Sequence, residues 1–220
     1  MRRFWTKLVI MLLSNVMIGA SIGLFRFVDL GTDPFSSMVI GISHRTGLSF
    51  GNIQCMACVL LFGMMFLWKR ESIGIGTLPS IFLNGYISDF VYLLCKDSGM
   101  GTQTLVFKSF LLVLALVICT FSVAVCIEVN MGTSAYDTLP MIIEDKTKSK
   151  ISFKMARIYT DSFCILVGVI LGAKIGVNTL IMAVFTGLLV NYFRNLIKDF
   201  DWSVQKKVIH HKLVHVSGQK

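Results

Sequence analysis

Eight residues of this chain have the type and placement to do polar chemistry within apolar sequence: Thr32, Asp33, Thr133, Ser134, Asp137, Asp89, Arg157 and Asp161. The first four follow glycines in two related stretches, Gly31-Thr32-Asp33-Pro34-Phe35 and Gly132-Thr133-Ser134-Ala135-Tyr136. Short hydroxyl and carboxylate side chains at such points accept hydrogen bonds from the free N–H groups of a helix start, and Pro34 suits the first helical position. In the second stretch Asp137 stands three residues after Ser134, the spacing of a capping box. Helix starts at membrane depth also aim amides and a positive dipole end at a ligand. Plain capping at the water interface is the other reading.

The remaining candidates are ionisable groups in or beside long apolar runs. Arg26, Asp89, Glu128, Arg157 and Asp161 all fall there. A charge at the centre of a bilayer costs about 3 kcal/mol or more, so such groups usually face a cavity or a partner. Arg157 and Asp161 are four apart on one expected helix and can pair directly. Arg26 and Glu128 stand near span ends, from which long side chains can reach the interface. Asn84, Gln54 and Asn191 read as interhelical hydrogen-bonding residues.

The elements that must position these residues follow from composition. Of 220 residues, 55% are hydrophobic and 15% charged, and the mean hydropathy is +0.73. That balance excludes an ordinary soluble domain and gives an all-α membrane protein, its lipid bilayer the first partner. Spans are expected at about Lys7–Val28, Phe50–Trp68, Gly76–Leu94, Leu105–Val129, Phe153–Leu171 and Val177–Ile197. Short helical elements at Pro34–Arg45 and Ala135–Asp145 follow the first and fourth spans.

The order of these elements repeats. Ser21 and Val28 match Ser122 and Val129 at a shift of 101, and Ser49-Phe50 matches Ser152-Phe153 at 103. Ile73, Gly74, Thr77, Leu78 and Gly85 match Ile175, Gly176, Thr179, Leu180 and Gly187 at 102. The expectation is six transmembrane helices in two three-helix repeats, residues 1–100 and 101–198, with a basic tail over 199–220. Three spans per copy force the second copy to enter from the opposite side, an inverted topology. Fifteen Lys and Arg residues flank the ends on the side of the N-terminus and five flank the other. Both termini are therefore expected in the cytoplasm. The internal counterpart Leu105–Val129 also argues that the first span, although it resembles a leader, is retained.

Other chemistries find little support. Five of six cysteines lie in apolar runs and read as packing residues. His210, His211 and His215 in the tail lack an acid or cysteine to complete a metal site, so neither metal nor cofactor is expected. The formal charge of +9 clusters at span ends, as topology signals and anionic-lipid contacts do, which argues against nucleic acid. No P-loop, H-E-x-x-H or G-x-S-x-G signature is present, and no enzyme activity is expected.

Leu30-Gly31-Thr32-Asp33-Pro34-Phe35, Gly47-Leu48-Ser49-Phe50-Gly51 and Ile73-Gly74-Ile75-Gly76-Thr77 together resemble the marks of YczE/YyaS/YitT-type bacterial integral membrane proteins. The likeness runs from the first span to about Leu196. It implies a small, transporter-like protein of the bacterial plasma membrane. It also implies an acid after the aromatic residue, where this chain has Ser36 in the first copy and Asp137 in the second.

The expectation that results is a secondary transporter or permease with a small polar or anionic solute bound between the repeats. Its site would draw on the eight residues named at the outset. The alternative is a non-transporting scaffold, regulator or substrate-capture subunit, held as a homo-oligomer or with a partner membrane protein.

Overall fold

The computed structural model describes residues 2–98, 104–132, 134–148, 150–182 and 185–197. Among them every regular element is helical. Seven longer helices run in the order α1 (Arg2–Val28), α2 (Pro34–Thr46), α3 (Phe50–Trp68), α4 (Thr77–Asp97), α5 (Leu105–Val129), α6 (Ala135–Lys146) and α7 (Phe153–Ile170). A 3-10 turn at Arg70–Ser72 precedes α4, and residues 177–182 and 185–197 are helical after α7. Expected bounds hold to within a turn except at the N-terminus, where α1 begins earlier than Lys7. Thr133 and the tail with its histidines lie outside the described residues.

Among the described residues four helices are long and apolar enough to cross a bilayer: Phe4–Val28, Phe50–Trp68, Thr77–Asp97 and Leu105–Val129. Helix α7 has 18 residues but carries Lys154, Arg157 and Asp161 within them. Large apolar side chains cover the outside of the bundle, with Val106 80%, Leu60 69% and Leu105 68% exposed. Such a surface fits lipid. The chain is a helical membrane protein.

Small residues set the helix spacing. A Cβ added to Gly19 of α1 would lie 2.9 Å from the Asn84 carbonyl oxygen, and one on Gly23 would lie 2.8 Å from that of Ser88. Helices α1 and α4 therefore run side by side in the same direction, backbone against backbone, as glycines spaced four apart allow. Ser37 and Gly41 of α2 meet Gly168 of α7 in the same manner. Since Gly168 is near the C-terminal end of α7, the N-terminus of α2 falls beside the middle of that helix.

The two glycine–threonine stretches lock the chain crosswise. Leu30 O accepts from Asn178 N at 3.0 Å, while Met131 O accepts from Gly76 N at 2.8 Å. Gly31 (φ +98°) packs on Gly176, and Gly132 (φ +116°) packs on Gly74. Each first-motif contact thus has its counterpart in the second. Positive φ at Gly31 and Gly132 is a conformation in which glycine avoids the strain of a Cβ.

Candidate functional site

Helices α2 and α6 are short, and their N-termini meet. Phe35 and Tyr136, each the second residue of its helix, stack with ring centroids 4.7 Å apart and planes 26° from parallel. Asp33 caps α2: its Oδ2 accepts from Ser36 N at 3.0 Å, with Pro34 in the first turn as expected. Thr32 is buried, its hydroxyl 3.0 Å from Ser37 Oγ.

The second copy departs from the capping expectation. Ser134 occupies the N-cap of α6 without a side-chain cap bond, and Asp137 does not close a capping box. Its Oδ1 instead accepts from Arg157 Nη1 of α7 at 2.5 Å. A full cation offers a stronger, charge-assisted partner than a neutral amide. Ser152 likewise lacks a side-chain cap bond; Glu144 Oε1 accepts from Phe153 N at 3.0 Å in its place. Ser49 does cap α3, accepting from Asn52 N at 3.2 Å.

Arg157 joins the expected residues into one network. Its Nε lies 3.3 Å from Asp161 Oδ2, and its guanidinium sits 5.0 Å from the centroid of the Tyr136 ring. The Tyr136 hydroxyl donates to Asp161 Oδ1. Asp33 lies within electrostatic range of Asp161. Acidic, guanidinium and phenol groups from α2, α6 and α7 therefore share one place. The buried thiol of Cys164 borders it, in the same apolar cluster as Phe35 and Tyr136. All six cysteines are free.

Several buried oxygens there, or beside there, have no partner. Asp33 Oδ1, Ser36 Oγ and Gln54 Oε1 are inaccessible and unbonded; Ser36 is 1% and Gln54 4% exposed. The interhelical hydrogen bonds expected of Gln54 and Asn84 are not made by their side-chain oxygens: Gln54 Oε1 and Asn84 Oδ1 reach no donor. Asn191 is exposed.

Asp89 belongs elsewhere. It forms a separate box with Arg26, whose Nη1 lies 2.8 Å from Asp89 Oδ1 and 2.9 Å from Ser88 Oγ. Asp89 Oδ2 accepts from Gly51 N at 2.7 Å, so it caps the start of α3. Arg26 also lies 4.1 Å from the Phe50 ring centroid and 4.7 Å from that of Tyr92. Its side chain is only 12% exposed, which corrects the expectation that it reaches out to the interface. Glu128 is corrected too: it accepts from Arg194 Nε at 2.8 Å. Pairing inside the bundle lowers the cost that snorkelling would otherwise avoid.

Among the described residues no group of three or more His, Cys, Asp or Glu has the geometry to hold a metal ion. Sequence reasoning missed Tyr136 and Ser36 as site residues. Their signal was present in the matched positions Phe35/Tyr136 and Ser36/Asp137 of the two stretches.

Comparison with known proteins places the chain in a family. The family of unknown function DUF6198 matches residues 5–195. The uncharacterised Bacillus subtilis (strain 168) protein YyaS is 24% identical over 170 residues, which is 77% of this chain and 83% of that one. The uncharacterised membrane protein YczE of the same strain is 24% identical over 163 residues, 74% of this chain and 73% of its own. An uncharacterised protein of Haemophilus influenzae is 24% identical over 190 residues, 86% and 83% of the two chains. No solved structure matches. The chain belongs to the DUF6198 family.

Proposed function

With membership of this family as the premise, we propose that the protein is a multi-pass transporter of the bacterial plasma membrane. Its solute site lies where α2 and α6 begin, and it moves a small polar solute without enzymatic conversion. The fold is two inverted three-helix repeats with six spans, and both termini are cytoplasmic. The observation that carries this reading is the network of Asp137, Arg157, Asp161 and Tyr136 beside Asp33, gathered among apolar helices. Ionisable groups among membrane helices are costly and are retained where a solute or ion passes. Short helices whose N-termini converge between two repeats are also the usual way transporters frame a substrate. The crosswise contacts of Leu30 with Asn178 and Met131 with Gly76 support the pairing of the repeats.

Uptake of a panel of radiolabelled small amines, amino acids, sugars and organic acids into proteoliposomes tests the assignment. At least one solute should enter saturably with the native chain and fail to do so with Asp161→Asn or Asp137→Asn. If every solute entered at the rate of empty liposomes, transport would be excluded and a non-transporting membrane partner would be the better reading.

A further inference from the structure

Charge at the meeting point of α2 and α6 does not balance, and the imbalance has a sign. Three carboxyl groups gather there, on Asp33, Asp137 and Asp161, against the single guanidinium of Arg157. Two helix N-termini add roughly half a positive charge each. Even so, three carboxyl groups outnumber about two positive charges. The N-terminus of α2, an end that draws anions, is already filled by its own Asp33 side chain.

The unpartnered atoms point the same way. Asp161 spends both oxygens on Tyr136 and Arg157, and Asp137 gives its Oδ1 to Arg157. Asp33 uses Oδ2 on the backbone and leaves Oδ1 buried without a donor. The Ser36 hydroxyl faces that carboxyl, is 1% exposed, and has no partner at hydrogen-bonding geometry. A buried acceptor left unpaired costs on the order of 1–3 kcal/mol, so a donor there is stabilising. The stacked Phe35 and Tyr136 rings next to it supply faces that attract cations.

We propose that Asp33 Oδ1 and Ser36 Oγ, at the start of α2 beside the Phe35–Tyr136 stack, bind a monovalent cation that donates hydrogen bonds, of the primary ammonium class. This rests on the reading of the same cluster as the solute site and narrows its solute from small and polar to cationic. A bare quaternary ammonium satisfies the charge but not the two acceptors. An anion satisfies neither.

Thermal unfolding of the purified full-length protein in detergent tests this at constant ionic strength and pH. Methylammonium chloride is compared with tetramethylammonium chloride, and sodium acetate with sodium chloride. Methylammonium should raise the midpoint by about 3 °C or more at concentrations well above its dissociation constant, and tetramethylammonium should not. Asp33→Asn keeps a good N-cap and removes only the charge; with Ser36→Ala it should fold as the native chain does and lose the methylammonium shift. Equal shifts from the two cations, a shift that follows acetate, or a methylammonium shift unchanged in both variants would each overturn the proposal. The outcome is separable from transport. Methylammonium binding without flux of any solute would leave the cation site standing and remove the transporter, whereas saturable flux of an organic acid alone would do the reverse.

Discussion

Arg157 contacts two carboxylates from different helices, at 2.5 Å to Asp137 and 3.3 Å to Asp161. Its loss would leave both acids without their cation beside Asp33. Arg157→Gln should therefore cost about 2 kcal/mol, less than a fully buried pair would, because the Asp137 side chain is 43% exposed. Adding Asp137→Asn and Asp161→Asn should restore much of the loss, since the repulsion disappears with the charge. Thermal midpoints of the three variants decide it; equal stability of Arg157→Gln and the native chain would contradict the pairing. How much of this was legible depends on reach. Asp33 and Ser49 were readable as caps because each acts within three residues of itself. Arg157 with Asp161 was readable for the same reason, through the helical repeat. Asp137 was misread because its partner arrives from α7, twenty residues on, and nothing local announces that competitor. Arg26 with Asp89 and Glu128 with Arg194 are separated by more than sixty residues, and only the packing of neighbouring helices brings them together.

At the scale of elements, glycine decides how closely the two motif loops approach. A Cβ at Gly176 would fall 1.9 Å from Leu30 O, and one at Gly74 would fall 2.1 Å from Met131 O. Neither neighbour can yield, because both are backbone. Gly74→Ala and Gly176→Ala should each destabilise the protein by about 1–3 kcal/mol or more, as overpacking does. Gly63→Ala is the control, since a Cβ there meets nothing within 4 Å. It should be neutral or slightly stabilising by helix propensity. Differential unfolding in detergent separates these cases, and tolerance of Gly176→Ala would contradict the interlock. The sequence carried the matched glycines in plain view, at 74 and 176 and at 31 and 132. It did not show that each glycine packs against the other copy's loop rather than its own, because repetition marks similarity and not contact.

Across the whole molecule, two ion pairs join the expected repeats through residues far apart in the chain. Lys69, just past α3, pairs with Asp145 of α6, and Lys174 pairs with Asp29 beyond the end of α1. In the inverted arrangement we propose, they fall on opposite faces of the membrane. The hydrogen bond to Asp145 holds the Lys69 ammonium above its usual range. A raised lysine value means that the stabilisation is complete below about pH 10.4 and is lost as pH climbs through the folded value. The gap in thermal midpoint between the native chain and Asp145→Asn should thus be present at neutral pH and shrink as pH climbs beyond the usual lysine range of about 10.4. A gap that widened with pH would contradict the pair. If the two pairs act as latches on the two faces, releasing one should bias the solute site towards that side.

The central claim, a transporter whose solute site lies where α2 and α6 begin, requires that site to be reached from both faces of the membrane. Ser36→Cys is introduced in a chain whose six native cysteines are replaced, and a small membrane-impermeant thiol reagent is applied to either side of oriented proteoliposomes. Gln54→Cys provides a second position. Reaction should occur from both sides, favouring the Lys69 face when Asp145→Asn is added and the Lys174 face when Lys174→Ala is added. Reaction from one side only, indifferent to both latch variants, would contradict the account.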